Sequence, residues 1–143
     1  MIKGKKSGNK KLSREDREAM EAKEELRKLN DLCGQTEDID TIIEISRHPN
    51  DDLRFKAVKQ LCPCKVQKDI PEFWDRIFEL VEDRCSKIRY QVLHIMCDGS
   101  PPHVEARIKE ALEKFNQDED PEIRRRAHKV LVQFNKNGIW NVL

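Results

Sequence analysis

Cysteines and histidines are the residues of this chain best suited to binding a metal ion. Cys62 and Cys64 flank Pro63, and Cys85 and Cys97 are the available further ligands. Structural zinc usually takes two Cys-x-x-Cys pairs, or one pair with two histidines, so a single Cys-x-Cys is a weak signal. Cys62 and Cys97 also stand 35 residues apart, at the period of the repeat described below. We therefore expect buried, reduced thiols, no bound metal and no cofactor.

The four histidines are the natural candidates for acid–base chemistry. His48 lies beside Pro49 in a predicted turn, and His103 lies at a predicted helix start, so we expect both to face solvent. The sequence displays no catalytic constellation around these histidines. We therefore expect that the protein is not an enzyme.

A repeat of 35 residues is the strongest pattern in the chain. Leu53-Arg54, Ile88-Arg89 and Ile123-Arg124 are separated by this interval both times, and four further apolar columns keep the same step. Within each unit these positions are three, four or seven residues apart, which is helical spacing. Each unit therefore reads as two amphipathic helices, and such periods indicate stacked helical hairpins. The further columns are Ala57/Val92/Ala127, Leu61/Met96/Leu131, Ile42/Ile77/Leu112 and Ile45/Leu80/Phe115.

The segments outside the repeats are predicted from their composition and from helix end signals. Residues 1–12 form a basic tail with no acidic residue, which we expect to be disordered. Such a tail could be a nuclear-import signal, a tether to nucleic acid, or simply a solvated end. Residues 13–34 read as a helix with a Ser13–Asp16 capping box and a stop at Gly34. Its narrow stripe, Ala22, Leu26, Leu29 and Cys33, predicts a capping helix or, alternatively, a helix that binds a partner.

The three repeats are predicted to occupy residues 35–137, with units at about 37–69, 70–101 and 102–137. Asp120 followed by Pro121 is the strongest helix start in the chain. Residues 138–143 are apolar and are expected to fold over the exposed end of the third unit. The predicted helices are Glu37–Arg47, Asp52–Cys62, Pro71–Glu82, Lys87–Cys97, Pro102–Asn116 and Pro121–Asn135.

The repeated segment resembles the HEAT-repeat family. Asp118-Glu119-Asp120-Pro121-Glu122-Ile123-Arg124 with Ala127 and Leu131 fits the family's unit closely, the segment 50–54 fits less closely, and the segment 83–89 is the loosest copy. The period is shorter than usual for HEAT repeats, but the marker residues of tetratricopeptide and ankyrin repeats are missing. The resemblance implies an all-α fold, a right-handed α-solenoid of three short HEAT-like hairpins with an N-terminal capping helix.

The resemblance also implies a structural role for the arginine column. In HEAT-like arrays this arginine bonds to acidic residues of neighbouring turns. Arg54, Arg89 and Arg124 are then expected to form a ladder with Asp51, Asp83 and Asp118 or their neighbours, since a guanidinium can bind a carboxylate through two bonds. HEAT-like enzymes that bind iron use His-Glu pairs, which this sequence lacks.

The inner surface of the family is built from the second helices, so any site is expected there. Positions one, two and five residues after each arginine face outward at 100° per residue. They carry cations and two aromatic residues, which can grip an acidic peptide or hold phosphates and stack bases. The predicted partner-binding residues are Phe55, Lys56, Lys59, Tyr90, Gln91, His94, Arg125, Arg126 and Lys129.

The overall charge sets no strong preference for a class of partner. Lys and Arg number 28, Asp and Glu number 27, and the net charge is +1, so there is no global attraction to nucleic acid or anionic lipid. No apolar run approaches the length of a membrane span. We expect a monomeric adaptor or scaffold that binds another protein, in the cytoplasm or alternatively the nucleus. The second hypothesis is a nucleic-acid-binding protein that uses the basic tail and the Arg124–Lys129 cluster.

Overall fold

The fold is all-α, as the sequence predicts. The computed structural model describes residues 8, 10–63, 65–66 and 68–143, and all regular elements among them are helical. Most of the predicted basic tail (1–7 and 9) and Cys64 lie outside these described residues. The α-helices are α1 (Arg14–Gln35), α2 (Ile39–Ile45), α3 (Asp51–Gln60), α4 (Pro71–Glu79), α5 (Ser86–Met96), α6 (Glu105–Phe115) and α7 (Pro121–Asn137).

Helix α1 begins where predicted and ends later than predicted. The Ser13 hydroxyl accepts a hydrogen bond from the Asp16 N–H at 3.1 Å, and the Asp16 carboxylate accepts one from the Ser13 N–H at 3.2 Å. The predicted stop at Gly34 is wrong, because the helix continues to Gln35 and Thr36 closes it in an extended conformation. A Cβ at residue 34 would stand 3.3 Å from Lys56 Nζ. Glycine here gives the lysine room.

The first helix of each unit is shorter than predicted. Asp38 caps α2 by accepting from the Thr41 N–H at 3.1 Å, so the helix begins at Ile39. Helix α4 ends in a 3₁₀ turn at Leu80–Glu82, and a second 3₁₀ turn at Pro102–Val104 precedes α6. The predicted start of α7 is confirmed, since the Asp120 carboxylate accepts from the Glu122 N–H at 2.9 Å.

The helices pack as three successive pairs. Helices α2 and α3 form the first unit, α4 and α5 the second, and α6 and α7 the third. The second helices also contact one another in series, α3 with α5 and α5 with α7. All the apolar repeat positions are buried, with at most 8% of any one exposed. Ala57 and Ala127 are fully buried, and small residues here let neighbouring helices approach closely.

Helix α1 covers the first unit with its second half only. It contacts α2 and α3, with Cys33 buried and Leu26 and Leu29 partly buried. Ala22, which was predicted to lie on the same stripe, is exposed. The Gln60 amide donates to the Cys33 carbonyl at 2.5 Å and fixes the end of α1 on α3.

Residues 138–143 fold back onto the protein, and the Trp140 ring packs against Phe134 of α7 in the third unit, with 5.5 Å between ring centres. Gly138 ends α7 with φ of +72°, a conformation that glycine adopts at little cost. The Trp140 indole N–H then donates to the Ser100 hydroxyl at 2.6 Å, and the Leu143 N–H donates to the Cys97 carbonyl at 3.0 Å. The tail therefore docks on the loop between the second and third units, where polar groups of the loop need partners.

A candidate partner-binding face on the second helices

The predicted binding residues lie on α3, α5 and α7, and none of them is buried. We call this set the basic–aromatic face. Lys59, Arg125 and Lys129 are exposed, and the remaining six are half-buried. Its members are Phe55, Lys56, Lys59, Tyr90, Gln91, His94, Arg125, Arg126 and Lys129.

Two cation–ring contacts organise this face. Lys59 Nζ lies 4.7 Å from the centre of the Phe55 ring, one turn away on the same helix. The Arg126 guanidinium carbon lies 4.8 Å from the centre of the Tyr90 ring and joins α7 to α5. Such contacts contribute about 0.5–1 kcal/mol at exposed sites. They hold two flexible cations next to apolar rings and so give the face part of its geometry before any partner arrives.

Two further predicted binding residues, Lys56 and His94, have polar partners within the chain. Lys56 Nζ donates to the Asn30 carbonyl at 2.8 Å and to its side-chain oxygen at 3.2 Å, so α1 occupies this end of the face. His94 Nε2 lies 3.4 Å from an Asp98 oxygen. Asn30 and Asp98 are not among the residues predicted from the sequence. The His94–Asp98 spacing of four residues could have indicated the second contact, whereas the first depends on where α1 docks.

Arg54 and Arg89 join one unit to the next through acidic residues. Arg54 Nε and Nη2 donate to the two carboxylate oxygens of Asp83 at 3.1 and 3.0 Å. Arg89 makes the same two bonds to Asp118, at 2.8 and 3.0 Å. These four side chains are 7–9% exposed. The structure thus pairs each of these arginines with the aspartate 29 residues further along the chain.

A third bond from each arginine returns to a carbonyl of its own unit. Arg54 Nη1 donates to the His48 carbonyl at 3.2 Å and Arg89 Nη1 to the Asp83 carbonyl at 2.9 Å. Arg124 makes the equivalent bond to the Asp118 carbonyl at 2.6 Å, but its side chain is exposed. Among the described residues, the hydrogen bonds of Arg124 therefore stay within the third unit, unlike those of the other two arginines.

The pKa shifts follow these contacts. Hydrogen bonds to Asp83 and Asp118 raise the pKa of Arg54 and Arg89 above its ordinary value, against the opposing effect of burial. Burial works to raise the pKa of Asp118, but the bonds from Arg89 and from the Asp120 N–H, with the nearby positive charges, hold it below its ordinary value. Asp118 is therefore charged at neutral pH and electrostatically bound to Arg89.

An acidic hollow lies at the N-terminal ends of α2 and α4, the first helices of the first two units. Its volume is about 490 Å³, and Glu37, Asp38, Asp40 and Glu72 line it together with Lys68. At the next junction, the positions 35 residues after Asp40 and Glu72 carry Asp75 and Arg107, which form an ion pair at 2.8 Å. The hollow between the first and second units therefore has the acids Asp40 and Glu72, whereas the matching positions of the second and third units carry an acid, Asp75, and a base, Arg107.

Comparison with other proteins does not identify the chain. No protein-family model, no curated protein and no solved structure matches it. Among the described residues, no helix combines the length and the apolar character that crossing a membrane requires.

Proposed function

We propose that this protein is a non-catalytic adaptor or scaffold that binds another protein along its basic–aromatic face. We further propose that it belongs with the HEAT-like repeats as a short, right-handed α-solenoid of three hairpins, working as a monomer in the cytoplasm or alternatively in the nucleus. The observation that carries the functional proposal is a pair of cation–ring contacts. Lys59 contacts Phe55 within α3, and Arg126 of α7 contacts Tyr90 of α5.

The chemistry of the face favours a partner with an acidic segment that also has apolar side chains. Arg125 and Lys129 are exposed on α7 and offer positive charge, while the half-buried rings offer apolar area. Aromatic residues and arginine are the residue types that most often dominate binding energy at protein interfaces. A rigid row of packed helices needs little reordering on binding, so less free energy is lost in forming the complex.

Affinity capture with matched variants tests this proposal. The face variant R125A/R126A/K129A removes three positive charges from α7. The control variant R107A/K109A/K114A removes three from α6, including Arg107, which lies 4.2 Å from the centre of the Phe78 ring. Each immobilised protein is exposed to lysate of the source cell, and bound proteins are quantified by mass spectrometry. We expect a specific partner with wild type and control, and its loss with the face variant.

Two outcomes would contradict the proposal. Equal capture by the face variant and the control would show that the basic–aromatic face is not the binding surface. Loss of the partner only when α1 is deleted would place the interface on that helix, whose first half is exposed. Circular dichroism of each variant excludes unfolding as the cause.

Nucleic-acid binding is the second candidate, supported by the same exposed cations and by the lysines among residues 1–11. The cations can neutralise phosphates, and the aromatic rings beside them can stack on bases. Its signature is an affinity for single-stranded RNA or DNA that falls steeply between about 50 and 200 mM salt. Fluorescence anisotropy with a labelled RNA and a labelled DNA of mixed sequence measures this. Undetectable binding to both at low salt would eliminate this candidate.

A further inference from the structure

The ends of α3 and α5 bring a thiol, an imidazole and a carboxylate together. Cys62 follows α3, His94 lies in the last turn of α5, and Asp98 follows that helix. One oxygen of Asp98 lies 3.4 Å from the Cys62 sulfur and 3.4 Å from His94 Nε2. The three candidate ligand atoms all lie within 4.8 Å of one another. We propose that these residues form a binding site for a divalent transition metal, with Zn²⁺ as its ion.

The two separations that involve Asp98 match those expected for ligands of one zinc ion. Zinc binds sulfur at about 2.3 Å and nitrogen or oxygen at about 2.1 Å in tetrahedral geometry, which places ligand atoms roughly 3.4–3.6 Å apart. Both contacts of the Asp98 oxygen have this separation, and in the Cys62 contact the thiol donates a hydrogen bond to that oxygen. A charge-assisted hydrogen bond between His94 and Asp98 would instead be about 2.7–2.9 Å long. The His94–Asp98 distance thus suits two ligands of a shared ion better than a direct hydrogen bond.

The surroundings suit an ion that enters from solvent. Cys62 is 5% exposed and forms the floor of the site. The side chains of His94 and Asp98 are 35% and 33% exposed and form its open side. On binding, the Cys62 thiol releases its proton to water and ligates as thiolate, and His94 ligates through Nε2. Three protein ligands leave a fourth position for water or for a ligand from a partner.

The ligand types select the class of ion. A thiolate sulfur and an imidazole nitrogen favour zinc and its neighbours over Mg²⁺ and Ca²⁺, which prefer oxygen. The proposed metal site goes beyond the proposed function. It gives His94, a member of the basic–aromatic face, the role of a metal ligand. Because Cys62 belongs to the first unit and His94 and Asp98 to the second, a bound ion would join the two units.

Metal titration of the full chain tests the site. The protein is stripped with a chelator, dialysed, and titrated with Zn²⁺ against a chromophoric chelator, and with Co²⁺ by absorption spectroscopy. We expect one ion per chain and a thiolate-to-cobalt charge-transfer band. D98N and H94Q, which alter partly exposed ligands, should each weaken zinc binding by about tenfold or more, an effect comparable to or larger than that of changing a residue that only orients a ligand. C62S should abolish the charge-transfer band.

Matched controls lie outside the cluster. C85S removes a partly buried thiol and H128A removes an exposed imidazole, and both should bind zinc as the wild type does. Circular dichroism verifies that each variant folds, and D98N remains informative if C62S does not. The absence of stoichiometric zinc, or unchanged affinity in D98N and H94Q, would overturn the proposal. Binding that requires Cys64 but not Asp98 would also overturn it, since that result would place the metal elsewhere.

Discussion

Two rows of ion pairs join successive units of this protein, and they follow different rules. The pairs Arg54–Asp83 and Arg89–Asp118 are buried, and each runs from an arginine on a second helix to an aspartate in the turn before the next second helix. Near the C-terminal ends of the first helices, the pairs Arg47–Glu79 and Glu82–Lys114 occupy the same two repeat positions but with the charges exchanged. In these outer pairs about half or more of each side chain is exposed.

The difference lies in what else each charged group touches. An exposed ion pair is solvated on both sides and contributes about 0.2–1 kcal/mol, so either order of charges is acceptable. We call each buried pair, Arg54–Asp83 and Arg89–Asp118, a rung. In each rung the arginine also donates a hydrogen bond to a carbonyl of its own unit, that of His48 for Arg54 and that of Asp83 for Arg89. A carboxylate at that position would face a carbonyl oxygen instead of a donor. The order of the buried pair is therefore fixed, and that of the exposed Glu82–Lys114 pair is free. Glu79 of the other exposed pair also accepts a bond from Arg76 at 2.8 Å.

The largest expected effect is the loss of a buried rung. Arg89→Ala leaves the Asp118 carboxylate buried without its charge partner, which typically costs about 3–5 kcal/mol. Arg124→Ala, in the same repeat column, removes bonds to carbonyls in its own unit from an exposed side chain. It should cost about 1 kcal/mol or less. Urea unfolding followed by circular dichroism measures both, and equal losses would contradict the distinction drawn here.

Exchanging the charges tests the comparison directly. The double variant E82K/K114E reverses an exposed pair and should unfold within about 0.5 kcal/mol of the wild type. The double variant R89D/D118R reverses a buried pair and should be at least as destabilised as Arg89→Ala, because the new carboxylate faces the Asp83 carbonyl. A stable R89D/D118R protein would show that the carbonyl bond does not fix the order.

Acid should weaken the rungs before the helices themselves. The folded-state pKa of Asp118 lies below its unfolded value, so its contribution to the free energy of unfolding is complete above about pH 5. The contribution is lost as the pH falls through the folded pKa. We expect wild-type stability to decline between about pH 5 and pH 2, and Asp118→Asn to be less stable at pH 7 with a shallower decline. Urea midpoints at several pH values check this, and parallel declines would contradict it.

The smallest expected effect is a gain at the acidic hollow. Glu72→Arg would place a cation near Asp40, as Arg107 stands near Asp75 one unit later. The gain in the free energy of unfolding should be about 0.2–1 kcal/mol, the usual value of an exposed pair. Glu72→Gln removes an acid without adding a base and should gain less. Thermal unfolding at low salt compares the two, and a gain that persists in high salt would rule out the ion-pair explanation.

The helices and the core follow from the sequence because every unit repeats the same apolar spacing. Ala57, Val92 and Ala127 could be placed in the interior from their period alone, and all three are fully buried. Helix ends were less predictable. Gly34 looks like a stop in sequence, but α1 continues to Gln35, and a Cβ at residue 34 would lie 3.3 Å from Lys56 Nζ of another helix. Local signals specify local structure, and this contact is not local.

The candidate site shows the same division. The outward positions on the second helices could be derived by counting residues, and the structure leaves all nine at least partly accessible. Which acid each arginine binds could not be derived, because a separation of 29 residues depends on how one unit sits on the next. Nor could counting bring Cys62 to Asp98, since that contact needs two helix ends to meet.

The docked tail has a consequence for how the molecule opens. The bond between Trp140 and Ser100 closes a loop of 40 residues that contains all of α6 and α7. A terminal pair of helices would ordinarily fray first, with a small free energy of local opening. Here the last helices cannot leave without also releasing the loop that follows α5. Their amide protons should therefore exchange with solvent together with those of the middle unit, and the two should behave as one cooperative block.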